Sequence, residues 1–196
     1  MFTRGYLPLF RVRGVPVRAH WSLPVGVLVF TGFRLAPGAW LGMVLLILLH
    51  ELGHAALVSR AGLVNLGIDL TGFGGQCRFV GQPAPRQRAA IAWGGVLAQF
   101  AVLAVALPTY LVLAPTPGFA NDLLDSLTRV NLMLAALNLI PIAPLDGAQA
   151  WPWFTHFADD RRRRRSWKQK LTPQKDGGMT QTLQEALDEA DREHRS

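Results

Sequence analysis

Residues 89–115, AAIAWGGVLAQFAVLAVALPTYLVLAP, run for 27 positions without one charged side chain. A helix needs about 20 apolar residues to cross the ~30 Å hydrocarbon core of a bilayer. In lipid the backbone polar groups must be satisfied within the segment, and among single segments only a helix does this. The chain therefore reads as a membrane protein. Apolar runs at 21–33, 39–49 (resuming at 55–58) and 127–144 extend the pattern to about four crossings. The first is short and holds Pro24, and the last carries Arg129 near its start.

Charge placement orients these runs. Residues 1–158 hold ten arginines and five acids: Glu51, Asp69, Asp122, Asp125 and Asp146. Arg4, Arg11, Arg13 and Arg18 precede the first run, and Arg60, Arg78, Arg86 and Arg88 lie between the second and third. A five-arginine block at 161–165 follows the fourth. Four crossings with both termini in the cytoplasm place nearly all of this charge inside, as the positive-inside bias requires. The expected localisation is multi-pass, in the cell's inner or plasma membrane. The N-terminus does not read as a cleavable signal peptide, because its leader is long and no small-residue cleavage site closes the apolar run.

The expected fold is mainly α: a polytopic helical bundle, 1–150, with a short β-hairpin insertion, and a polar cytoplasmic segment, 151–196. The hairpin falls at 64–80, VNLGIDLTGFGGQCRFV, where β-formers surround a glycine cluster. In the tail, Trp151, Trp153 and Trp167 read as an interfacial belt, and residues 179–195 as a polar helix. The basic block favours anionic lipid headgroups over nucleic acid. The single cysteine, Cys77, excludes a disulfide scaffold and a multi-thiolate metal site.

Three ionisable residues interrupt the second apolar run, in His50-Glu51-Leu52-Gly53-His54. Histidines at i and i+4 share one helix face. That spacing suits two imidazoles on one zinc ion, with the adjacent glutamate placed as general base. Charged groups at mid-bilayer cost roughly 3 kcal/mol each on insertion scales, a burden that points to function rather than packing. A catalytic zinc takes three protein ligands and keeps one position open. His20, His156 and His194 lie outside the apolar core. Asp146, at the cytoplasmic end of the fourth run, is the better candidate for the third ligand. Taken alone it reads equally well as a turn aspartate before Gly147. Pro141 and Pro144 should break the helix ahead of it.

The pair HELGH (50–54) and NLIPIAPLDG (138–147) resembles the two signatures of the site-2 protease family of intramembrane zinc metalloproteases. The resemblance covers residues ~15–150. It implies His50, His54 and Asp146 as ligands of one zinc ion per chain, and Glu51 as the residue that activates water. It implies a substrate or oxyanion role for Asn138. The family's third core helix carries an asparagine about where this chain has Gln99, which makes Gln99 a further candidate for a substrate or oxyanion contact and leaves its role open. It also implies that the hairpin offers a strand edge to an unwound transmembrane substrate. The implied activity is hydrolysis of a peptide bond within or beside a transmembrane segment. A non-proteolytic zinc sensor or transporter is the alternative. Substrate identity and oligomeric state are not legible.

Overall fold

In the computed structural model the described residues are 5–113 and 115–154. The tail elements expected at 159–170 and 179–195, with His156, Trp167 and His194, lie outside them. The chain runs β1 (Tyr6–Val12), β2 (Val15–His20), α1 (Ser22–Phe30), α2 (Pro37–Arg60), β3 (Val64–Thr71), β4 (Gly74–Val80) and α3 (Pro85–Leu113). It continues through α4 (Phe119–Asp125), a π turn (Ser126–Val130), α5 (Asn131–Asn138) and α6 (Gly147–Ala150). The architecture is mostly helical with one small sheet.

Among the described residues two helices, α2 and α3, are long and apolar enough to cross a membrane. The first apolar run forms only the nine residues of α1, about 13 Å at 1.5 Å per residue. The fourth run begins earlier than its hydropathy suggests. Helical backbone extends from Phe119 through the π turn to Asn138. Its polar residues Asp122, Asp125 and Ser126 mask this beginning in sequence.

The expected hairpin is present as β3 and β4. Unforeseen is a second hairpin, β1–β2, in the basic leader. Together they form a four-stranded sheet in the order β1-β2-β3-β4, with β2 and β3 parallel. Alternation along the two central strands sends Val17, Ile68 and Leu70 into a core with Leu23, Val27, Met43 and Ala55. The opposite face receives Arg18 and Asp69, paired directly across the parallel strands. Arg18 grips the Asp69 carboxylate with two bonds, Nε to Oδ1 at 2.8 Å and an NH2 nitrogen to Oδ2 at 2.7 Å. Arg78 Nε lies 2.8 Å from the same Oδ2. A buried carboxylate is tolerated when so paired.

Small residues bring the long helices together. Gly53 on α2 meets the carbonyl of Gly94 on α3, and Gly94 meets that of Gly53, so a side chain at either would collide with main chain. Close backbone approach of this kind is the usual packing device between membrane helices. The composite helix lies along α2 on another side, with Phe119 against Gly38 and Ser126 against Gly42.

Candidate active site

Helix α2 presents His50, Glu51 and His54, all buried, to a cleft of about 820 Å³. The i, i+4 spacing brings the two imidazoles together edge to face on one side of the helix, with Nε2 atoms 3.0 Å apart. His50 Nδ1 lies 3.0 Å from Gln99 Oε1, and His54 Nδ1 lies 2.7 Å from the Ile91 main-chain carbonyl. Both partners are oxygens that only accept, so both Nδ1 atoms carry the hydrogen. Each Nε2 is left with a lone pair facing the cleft.

Asp146 reaches this point from the other side. Helix α5 ends at Asn138, and the chain continues irregularly through 139–146, with a cis Ala143–Pro144 bond. The helix breaks ahead of Pro141, as its proline content predicts. Two tryptophans close the loop: Trp151 Nε1 donates to the Leu139 carbonyl at 2.7 Å, and Trp93 Nε1 on α3 donates to the Ala150 carbonyl at 3.0 Å. Sequence reasoning saw Trp151 as part of an interfacial belt and missed this tethering role. Asp146 Oδ2 then lies 2.9 Å from His50 Nε2 and 3.2 Å from His54 Nε2.

Whether these three groups suit a metal ion is decided by their electrons. Asp146 Oδ2 is buried and receives no hydrogen bond. With both histidines protonated on Nδ1, three lone pairs converge within 3.2 Å. Neutral or anionic acceptors packed in this way repel one another unless a proton or a metal cation lies among them. Ligands of a tetrahedral zinc at about 2.0–2.1 Å stand roughly 3.3 Å apart, close to the separations seen. The donor set, two imidazoles and a carboxylate, is also zinc-like. The residues present fit zinc.

Glu51 stands beside this triangle, its donor atom within 4.8 Å of those of both histidines. Strand β4, one of the two edge strands of the sheet, passes directly over it. A Cβ at Gly75 would strike the Glu51 side chain, so the strand approaches this closely only because residue 75 has none. Asn138 lines the cleft, its Nδ2 3.5 Å from Gln99 Oε1. His20 is elsewhere, bonded to Ser22 Oγ and packed between Tyr6 and Trp21. Cys77, on β4, is an inert neighbour. Burial pushes its thiol up to about 12, and the Glu51 carboxylate adds to the effect. Asn131, 1% exposed, was not singled out from sequence. Its bond to the Gln99 main chain joins α5 to α3.

Two membrane-length helices, a sheet whose edge strand β4 passes beside the cleft, and a His-His-carboxylate triangle beside a glutamate define a class: helical membrane proteins with a candidate metal centre. The comparisons with known proteins narrow it. The chain is 34% identical over 177 residues to a Mycobacterium tuberculosis protein named as a zinc metalloprotease, Rip3, with 78% of this chain and 45% of that protein aligned. It is 30% identical over 148 residues to the zinc metalloprotease MJ0392 of Methanocaldococcus jannaschii, covering 72% of this chain and 43% of the relative. The fold matches the solved site-2 protease from Methanocaldococcus jannaschii with a TM-score of 0.60 at 23% identity, over 76% of this chain and 71% of that one. No protein-family model matches. The chain belongs to the site-2 protease family. It spans a little under half the length of the curated relatives it matches.

Proposed function

We propose that this chain is an intramembrane zinc metalloprotease that hydrolyses a peptide bond within or next to a transmembrane segment of another membrane protein. The observation that carries this reading is the meeting of His50 Nε2, His54 Nε2 and Asp146 Oδ2 within 2.9–3.2 Å, with Glu51 at their side. His50, His54 and Asp146 would hold one zinc ion. Zinc in such a site supplies Lewis acidity and brings the pKa of water towards ~7. The Glu51 carboxylate accepts the proton of the attacking water and returns it to the leaving amide nitrogen. Asn138 lines the cleft, and in this reading its Nδ2 donates to a substrate carbonyl.

A transmembrane helix hides its amides in its own hydrogen bonds, so the substrate must unwind before it is cut. The unpaired edge of β4 compensates for that loss by pairing with the extended segment. The close approach of β4 to Glu51 at Gly75 supports this reading, since a strand paired on that edge would run about 4.8 Å from β4.

We read the chain as multi-pass, with both termini cytoplasmic. The parallel β2–β3 pairing supports the N-terminal part of this reading, because it ties the N-terminal hairpin to the side on which β3 and β4 emerge from α2. Residues 21–36 then have to carry the chain back to the far end of α2. Nine helical residues and a six-residue connection span at most ~33 Å, enough for a crossing by a short helix. The sheet also reaches inward, for Gly72 at the β3–β4 turn touches Gly26 midway along α1. The bilayer and a transmembrane substrate are thus the expected partners.

The test is cleavage of a reporter transmembrane substrate in liposomes. E51Q should bind zinc at the parent's stoichiometry and show no turnover, while D146A should lose both. Normal turnover by E51Q would refute the assignment of the base. Zinc flux without peptide cleavage in the parent would instead support a transporter.

A further inference from the structure

We infer that Gln99 is a positioning residue of the metal centre rather than a substrate contact: its side-chain carbonyl holds His50 in the tautomer and orientation that leave Nε2 free. The inference rests on the reading of the cluster as a zinc site. The two histidines are oriented by unlike groups. His54 leans on the Ile91 carbonyl, which the α3 backbone holds rigidly. His50 leans on the end of a flexible side chain, Gln99 Oε1, at 3.0 Å. Such a partner orients a ligand only if it is itself held, and Gln99 is held from three directions.

Gln99 is 2% exposed, so packing restricts its torsions. Asn138 Nδ2 lies 3.5 Å from the same Oε1 and favours the amide orientation that turns oxygen towards His50. Asn131 Nδ2 donates to the Gln99 main-chain carbonyl at 2.9 Å and to that of Leu127 at 3.3 Å, fixing α3 against α5 at this residue. Asn131 and Asn138 stand seven residues apart, two helical turns, and so share one face. The π turn that immediately precedes Asn131 sets which face that is. A π turn rotates the helix beyond it relative to the helix before, and such turns concentrate at functional sites. Oxygen acceptors on the far nitrogen of a ligating histidine fix the ring and raise its basicity. Gln99 Oε1 is already committed to that task.

The chemistry separates this role from oxyanion stabilisation. Positioning requires an acceptor at the end of residue 99, whereas an oxyanion contact requires a donor. Q99E keeps the acceptor and removes the donor, and Q99L removes both. The experiment measures zinc affinity of the full chain in detergent by competition with a chromophoric chelator. Cobalt absorption reports ligand geometry, and circular dichroism reports helix content. Q99L should bind zinc roughly 10- to 100-fold more weakly than the parent, while Q99E should stay within about threefold and keep its turnover. Parent-like affinity in Q99L would overturn the inference. So would Q99E losing as much affinity as Q99L, or keeping its zinc while losing turnover. Absence of zinc binding by the parent would overturn the metal reading itself, and with it this one. A parent that binds zinc and cleaves nothing would sink the proteolytic reading alone.

Discussion

Gly95 offers the sharpest single test of where the metal must sit. It faces α2 from α3, directly opposite the two imidazoles. A Cβ placed there would lie 2.6 Å from His50 Nε2 and 2.6 Å from His54 Nε2, and closer still to His50 Cε1. Carbon and nitrogen rest at about 3.5 Å, so G95A creates an overlap of about 0.9 Å on the atoms that would bind the ion. Metal sites tolerate displacements of about 0.2 Å. Either the imidazoles retreat or the methyl occupies the coordination space, and both outcomes expel zinc. The expected loss is at least about a hundredfold in affinity, equivalent to about 2.7 kcal/mol. The fold should survive. Alanine is the better helix former by about 1 kcal/mol, which offsets part of an overpacking penalty of about 1–3 kcal/mol. The assay is zinc competition beside a helix-content measurement, with the exposed V105A on the same helix as control. Parent-like zinc affinity in a folded G95A would show that the ion, if any, does not sit between these imidazoles.

Two further outcomes follow from the sheet. D69A removes the carboxylate shared by Arg18 and Arg78, leaving two guanidinium groups facing each other. It should destabilise the fold by about 3 kcal/mol, at the low end for a broken buried pair because both arginines are partly exposed. Denaturant titration in mild detergent that detects less than about 0.5 kcal/mol would contradict that account. The Cys77 thiol, pushed up to about 12 by burial, is almost wholly protonated at pH 8. Alkylation there should be slower than for a free thiol by roughly three orders of magnitude, and should accelerate about tenfold per pH unit until the fold opens. Rapid labelling of the native protein at pH 8 would show that β4 is not seated as described.

Much of the His-Glu-His group was legible because its geometry is local. Four residues of helix carry His50 to His54 through just over one turn, whatever surrounds them. The proline pair ahead of Asp146 likewise ends a helix through covalent constraint alone. The N-terminal strands were not legible. Tyr6–Val12 and Val15–His20 resemble a basic leader, and only pairing with β3 makes them a sheet. The fourth helix was placed late because Asp122, Asp125 and Ser126 lower the hydropathy of a segment that packs beside α2.

By itself, then, the sequence determined the apolar lengths, the face shared by two histidines and the place where the last long helix breaks. These depend on periodicity and on torsions fixed by one residue and its neighbours. Only the tertiary structure decided that Asp146 meets those histidines, that β4 lies bare over Glu51, and that Gln99 turns its oxygen to His50. Each of these joins groups distant along the chain, from 24 residues (Glu51 to Gly75) to 96 (His50 to Asp146). Contact over such separations follows from which surfaces exclude solvent and lipid together, and no local pattern encodes that.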